Sequence, residues 1–235
     1  MNQALLVAFW RQRLASPVRV TILALAVLGP ALLAGNVRGI GLAPLGDAYP
    51  LALLFAVGMI GQDVSSGVLQ LVLARPVTRA EYVIHRWLGA AIAASAASLV
   101  QIGLTWAMMA AHGDSPGAAT IGGFAAMREL QIFGVTATMA LFSSLMNGVA
   151  DLALYAMVFL SGGVLGTIGQ LRHSQVLIRA GEEIVALVSP KVDVAAFASA
   201  APPWQALAMW GSNLTLCLVL AIVVMNRKEL SYAAG

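Results

Sequence analysis

Charge is scarce in this chain. Its 235 residues include 13 Lys and Arg and 10 Asp and Glu, together 10% of the sequence, against roughly 25% in a soluble globular domain. Hydrophobic residues make up 60% and the mean hydropathy is +0.87. A water-soluble fold of this length has no interior large enough for so much apolar surface. The chain reads as an all-α integral membrane protein, a single transmembrane domain over 1–235. At about 20 residues per span plus a connection, it has room for roughly six helices.

Other shortages exclude further classes. Cys217 is the one cysteine, so no intrachain disulfide forms, and its place in the last apolar run makes it a small core residue. The eleven arginines and two lysines are scattered and the net charge is only +3, which leaves no footprint for a nucleic acid. There is no G-x-x-x-x-G-K-[ST] phosphate loop, and Lys191 and Lys228 lack glycine neighbours of that kind, so the sequence shows no nucleotide site of this type. The apolar stretch near the N-terminus is longer than a signal-peptide core of about 7–15 residues, has no clear small-x-small cleavage site, and is expected to be retained.

Ionisable groups are rare inside the apolar runs, where a charge costs roughly 2.5 kcal/mol or more. The main polar residues there are Gln101, Thr105, Thr136, Thr138, Ser143, Ser144, Asn213 and Thr215. An ion-coupled secondary transporter, one alternative reading, usually needs a buried carboxylate or histidine relay and often an inverted repeat; neither is visible. Hydroxyls in a span commonly bond their own backbone, so none is assigned to a substrate. An intramembrane enzyme is the other alternative, but His85, His112 and His173 fall in separate segments with no common metal or triad. The paired Glu182 and Glu183 of "GEEIV" have no Arg at helical spacing after them and no His in a neighbouring span.

What the sequence does contain is six apolar runs: Val18–Ala34, Tyr49–Ile60, Trp87–Ala111, Leu130–Val149, Leu152–Gly169 and Trp204–Met225. The second is short and is expected to begin nearer Leu45. Ahead of them, Leu5, Leu6, Phe9 and Trp10 recur at near-helical spacing among Gln3, Arg11, Gln12 and Arg13, the pattern of an interfacial helix over residues 1–16 that ends at Ser16-Pro17. With the N-terminus inside, Arg11, Arg13, Arg19, Arg75, Arg79, Arg86, Arg227 and Lys228 are cytoplasmic, and Arg38, Arg128, Arg172, Arg179 and Lys191 lie outside. That asymmetry predicts both termini in the cytoplasm. Residues 170–203 then form an external segment, half apolar, read as short helices at the membrane surface. Asn147 and Asp151 bracket a tight inner turn. Small-residue pairs such as Gly162 with Gly166, or Ala90 with Ala94, permit close helix contact within the chain or at a dimer interface.

The cytoplasmic segment 61–86, "GQDVSSGVLQLVLARPVTRAEYVIHR", is far more than a turn. Its Val64, Val68, Leu69, Leu71, Val72 and Leu73 alternate with Ser65, Ser66 and Gln70, which predicts a helix from Asp63 to Leu73 lying flat with one apolar side. Pro76 ends it by disfavouring helix at Arg75, and Thr78-Arg79-Ala80-Glu81 is a capping box opening the next helix. The segment thus reads as helix, hard turn, helix.

This loop resembles the one after the second span of ABC-2-type permeases, the membrane subunits of certain ATP-binding cassette transporters. The matching positions are Asp63, Gly67, Leu69, Leu71, Leu73, Arg75, Pro76, Arg79, Tyr82 and Arg86, with Asp63 where the family usually has Glu and Arg86 where it usually has Lys. Further likeness lies in "LFSSLMNGVADLALY", "LVSPKVDVAAFASA" and "NRKEL". The resemblance implies that the loop, with Glu81 of its capping box, is a coupling helix docking on an ATPase subunit. It also implies an exporter of six spans in a bacterial cytoplasmic membrane, two ATPase subunits carrying ATP and Mg2+ with no cofactor in this chain, and a second permease copy or a related one. The substrate is not implied.

Overall fold

The computed structural model describes residues 3–74, 77–114, 116–192 and 204–228. They form helices without strands: α1 (Gln3–Leu14), α2 (Pro17–Asn36), a 3-10 turn (Ala43–Leu45), α3 (Tyr49–Ala56), α4 (Gly61–Ser65), α5 (Val68–Leu73), α6 (Arg79–Ala111), α7 (Ala118–Leu145), α8 (Ala150–Leu171), α9 (Gln175–Val188) and α10 (Trp204–Arg227).

Five segments are long and apolar enough to cross a membrane: Pro17–Asn36, Ala43–Ser65, Arg79–Ala111, Ala150–Leu171 and Trp204–Arg227. The second starts near Leu45, as its short apolar run required, and is interrupted by turns. The fourth expected span corresponds to α7, which has 28 residues, a length of about 42 Å. It is not among the five, because its polar residues lower its hydropathy. Those residues are buried: Arg128, Gln131, Thr136, Thr138, Ser143 and Ser144 all face the bundle interior. Arg128, expected in an outer connection, instead lies ten residues inside α7 at 1% exposure. The apolar run from Leu130 had hidden a helix that begins at Ala118.

The core forms where α3 packs on α6 and α7, with Ala52, Phe55, Met59, Ala90, Ala94, Ile132, Val135 and Met139 buried together. Alanine at 90 and 94 brings α6 close to its neighbours, as small residues allow. α2, α8 and α10 stand at the periphery with broad apolar faces exposed, the arrangement of a bundle whose solvent is lipid.

Within the expected external segment the described part holds one helix, α9; residues 193–203 lie outside the described part. α9 runs antiparallel along α8. A Cβ on Gly181 would stand 2.5 Å from Gly166 N and 2.6 Å from Gly162 O, and one on Gly169 would stand 2.6 Å from Ile178 N. A Cβ on Gly162 would likewise stand 2.9 Å from Gly181 O, whereas one on Gly166 would meet nothing within 4 Å. Gln131 fixes the end of α9, accepting from the Ala48 N–H at 2.8 Å and donating to Ser189 Oγ at 3.1 Å.

Candidate functional site

The segment from Gly61 to Arg86 folds as an elbow, and its parts follow from local chemistry. The flat helix expected from Asp63 to Leu73 is two helices. Ser65, Ser66 and Gly67 are weak helix formers, and Gly67 takes a left-handed φ of 74°, where a residue with a Cβ is strained. The chain therefore turns between α4 and α5. Arg75 and Pro76, and the side chain of Leu73, lie outside the described residues. Thr78 opens α6 as expected: its Oγ1 accepts from the Glu81 N–H at 3.2 Å, and its own N–H donates to Glu81 Oε2 at 2.9 Å.

α5 has two unlike sides. Leu69 is wholly buried, whereas Leu71 is 72% exposed at the elbow's surface. One leucine anchors the helix to the bundle and the other is presented away from it.

Behind this surface, Asp63 is buried and gathers three partners. It forms an ion pair with Arg86, accepts from Tyr82 Oη at 2.5 Å, and accepts from Gln12 Nε2 at 3.4 Å. Arg86 also donates to Gln12 Oε1 and to Tyr82 Oη, each at 3.3 Å. α1, α4 and α6 thus meet at one carboxylate. Phe9, fully buried, lies beneath the guanidinium groups of Arg13 and Arg86 at 5.2 and 5.3 Å. Arg13 donates to the Val57 carbonyl at 2.5 Å, capping the end of α3. Desolvation first, then the nearby charges of Arg19 and Arg86, pull the Arg13 guanidinium down to about 9, so it stays cationic at neutral pH.

The elbow is tied to the other helix ends as well. The N–H groups of Ile60 and Gly61, which open α4 and have no partner within it, both donate to Ser143 Oγ at 3.0 Å. Gly58 N–H donates to Asp151 Oδ2 at 2.6 Å, and Gly148 N–H donates to Gly61 O at 2.8 Å. Arg79 donates to the carbonyls of Met225, Asn226 and Lys228 at 2.5, 3.0 and 3.1 Å, which supplies acceptors at the C-terminus of α10 with the donors they need. Lys228 Nζ in turn donates to Ser144 O and Asn147 Oδ1 at the end of α7. The Arg79 side chain, one of the motif positions, thus reaches inward to α10.

A second polar cluster was not singled out in the sequence. The Arg128 guanidinium is enclosed by neutral oxygens: Leu45 O at 2.6 Å, Gly46 O at 2.9 Å, Gln101 Oε1 at 2.5 Å and Ser98 Oγ at 3.3 Å. Gln101 passes the linkage on, donating to Ala26 O at 2.7 Å. That carbonyl is open because Pro30, four residues later in α2, has no N–H to offer it. Pro30 and the polar triplet Ser98, Gln101 and Arg128 were the available signal.

No three of His, Cys, Asp and Glu converge as a metal site among the described residues. His85 lies in the first turns of α6, His112 contacts Gly35 O at 2.7 Å at the far end of the bundle, and His173 sits in the turn after α8.

No curated protein and no solved structure matches the chain. The family model for ABC-2 family transporter proteins matches residues 5–230, a span that takes in the elbow, every long helix and α9. An apolar helical bundle with a built, polar-braced elbow at one end, matched over nearly its whole length, belongs to the ABC-2 family of transporter membrane proteins.

Proposed function

We propose that this chain is the permease subunit of an ATP-binding cassette exporter, and that the elbow takes the motion of a separate ATPase into the bundle. The observation that carries this is the division of labour in α5 and α4. Leu71 faces outward for contact, while Leu69 and Asp63 tie the same short segment to the core, to α1 and to α6. A push at Leu71 is passed on to helices because the elbow has few ways to yield by itself.

Two ATPase subunits closing on ATP and Mg2+ would draw two such elbows together and rock paired bundles about their interface. The assembly has two permeases, identical or related, and two ATPases. Its place is a bacterial cytoplasmic membrane with both termini and the elbow on the cytoplasmic side. The shortage of ionisable groups along the apolar helices suits a hydrophobic or amphiphilic cargo.

The test is purification of the tagged chain from its native host in mild detergent, with identification of co-purifying proteins and an ATPase assay. A protein with a phosphate loop is expected to accompany the wild type, and Leu71→Asp to release it while the yield and elution of the permease stay unchanged. Absence of any nucleotide-binding partner, or retention of the partner by Leu71→Asp, would overturn the reading.

A further inference from the structure

We propose that the groove between α2 and α6 binds one anionic phospholipid, with an acyl chain in the groove and the phosphate at Arg11 and Arg19. The groove has built ends. At the elbow end, Trp10 Nε1 of α1 donates to Gly89 O of α6 at 2.9 Å; at the other, Gln101 Nε2 donates to Ala26 O at 2.7 Å. Beside these bridges lies an open cavity of about 520 Å³, within the range of about 300–1,000 Å³ typical of ligand sites.

Its walls are carbon. Leu23, Val27 and Leu28 come from one face of α2, and Ile92, Ala96 and Val100 from α6. From Gly89 to Gln101 the helix rises about 18 Å at 1.5 Å per residue. One leaflet of a hydrocarbon core about 30 Å thick measures about 15 Å. The groove therefore has the length of an acyl chain standing in one leaflet, and it opens sideways, where Leu28 and Val100 are about half exposed.

Charge selects the headgroup. Arg11 follows Trp10 and Arg19 precedes Val20, both of which line the groove. Arg11 is exposed and Arg19 partly so, and neither has an acidic partner among the described residues. The nearby carboxylate, Asp63, is occupied by Arg86. A neutral lipid would fill the groove yet leave these cations unmatched, whereas a phosphate-bearing anionic headgroup meets them. A second copy of the chain matches less well. At the elbow end α10 offers Arg227 and Lys228, α2 offers its own Arg19, and the Asp151 carboxylate of α8 is buried.

The inference depends on the bundle standing in a bilayer and not on ATPase coupling. It is tested by native mass spectrometry of the full chain in detergent, titrated with dioleoyl phosphatidylglycerol or dioleoyl phosphatidylcholine. Wild type is expected to retain one phosphatidylglycerol at a concentration at least about five-fold below that needed for phosphatidylcholine, the scale of one arginine near an anionic headgroup. The pair Arg11→Gln and Arg19→Gln should abolish the preference, and Ala96→Phe, on an exposed position, should weaken retention of both lipids. Equal retention by the wild type, a preference that survives the two arginine changes, or retention of both lipids unaltered by Ala96→Phe, would overturn the site. So would a disulfide between two chains bearing Leu28→Cys, since Cys217 is only 6% exposed and the introduced thiol would be reporting a second copy over the groove.

Discussion

Gly61 and Gly148 are held face to face: the Gly148 N–H donates to the Gly61 carbonyl at 2.8 Å, and a Cβ on Gly61 would stand 2.7 Å from Gly148 O and 2.8 Å from Met146 O. Both obstacles are backbone and cannot rotate away. Gly61→Ala is expected to destabilise by about 3 kcal/mol, the upper range for overpacking. Gly148→Ala meets no atom within 4 Å and has only its φ of +67° to resist it, so it should cost about 1 kcal/mol. Unfolding midpoints of the two variants in detergent check the order; equal losses would refute it.

Asp63 and Arg86 form the pair that joins α4 to α6. Asp63→Ala strands a guanidinium with 12% side-chain exposure, and the expected loss is about 3 kcal/mol, as for other broken buried pairs. Asp63→Leu combined with Arg86→Met removes both charges and should cost less than the sum of the single changes. A double-mutant cycle on thermal stability measures the coupling, and strict additivity would mean that the two do not act together.

Pro30 and Gln101 make a second testable pair across α2 and α6. Gln101→Leu leaves Ala26 O and one Arg128 nitrogen without partners, an expected loss of about 3 kcal/mol given about 1–3 kcal/mol for each stranded polar group. In a Pro30→Ala background, an N–H at position 30 can take the Ala26 carbonyl. The same Gln101→Leu change should then cost about 1 kcal/mol less. An undiminished loss would show that the open carbonyl is not what Gln101 serves.

Arg79 bonds three carbonyls at the end of α10. Arg79→Ala is expected to lower the unfolding midpoint and to speed hydrogen exchange in the last turn of α10, at a cost of about 1–2 kcal/mol. Arg79→Lys, with one flexible ammonium, should restore only part. Protection unchanged in that turn would remove the capping role. An assembly defect on reversing this charge would mix two causes, which is why Leu71 is the cleaner probe of partner binding.

The helical bundle, the capping box at Thr78 and the elbow's place after the second apolar run could be read from the sequence because each rests on local signals: hydropathy, one proline, one S/T-x-x-E. The break at Gly67 was also local, but the regular alternation of apolar residues from Val64 to Leu73 masked it. α7 was read too short because a run of apolar residues marks only the most hydrophobic part of a helix. Its outer turns carry Arg128 and Glu129, which become tolerable only when Gln101, Ser98 and the Leu45–Gly46 carbonyls come from elsewhere in the chain. The inward turn of Arg79 has the same cause. A side chain's partner 146 residues away leaves no trace in its own neighbourhood.

The tie between Lys228 and the end of α7 has a consequence for the order of synthesis. A chain emerging from its N-terminus completes α7 some eighty residues before Lys228 exists. Through that interval the carbonyl of Ser144 lacks its cationic cap, and Arg79 has no α10 to grasp. The nascent bundle is therefore incomplete at its elbow until the final helix is in place, and the last helix to be made is the one that closes the ends of the helices made before it.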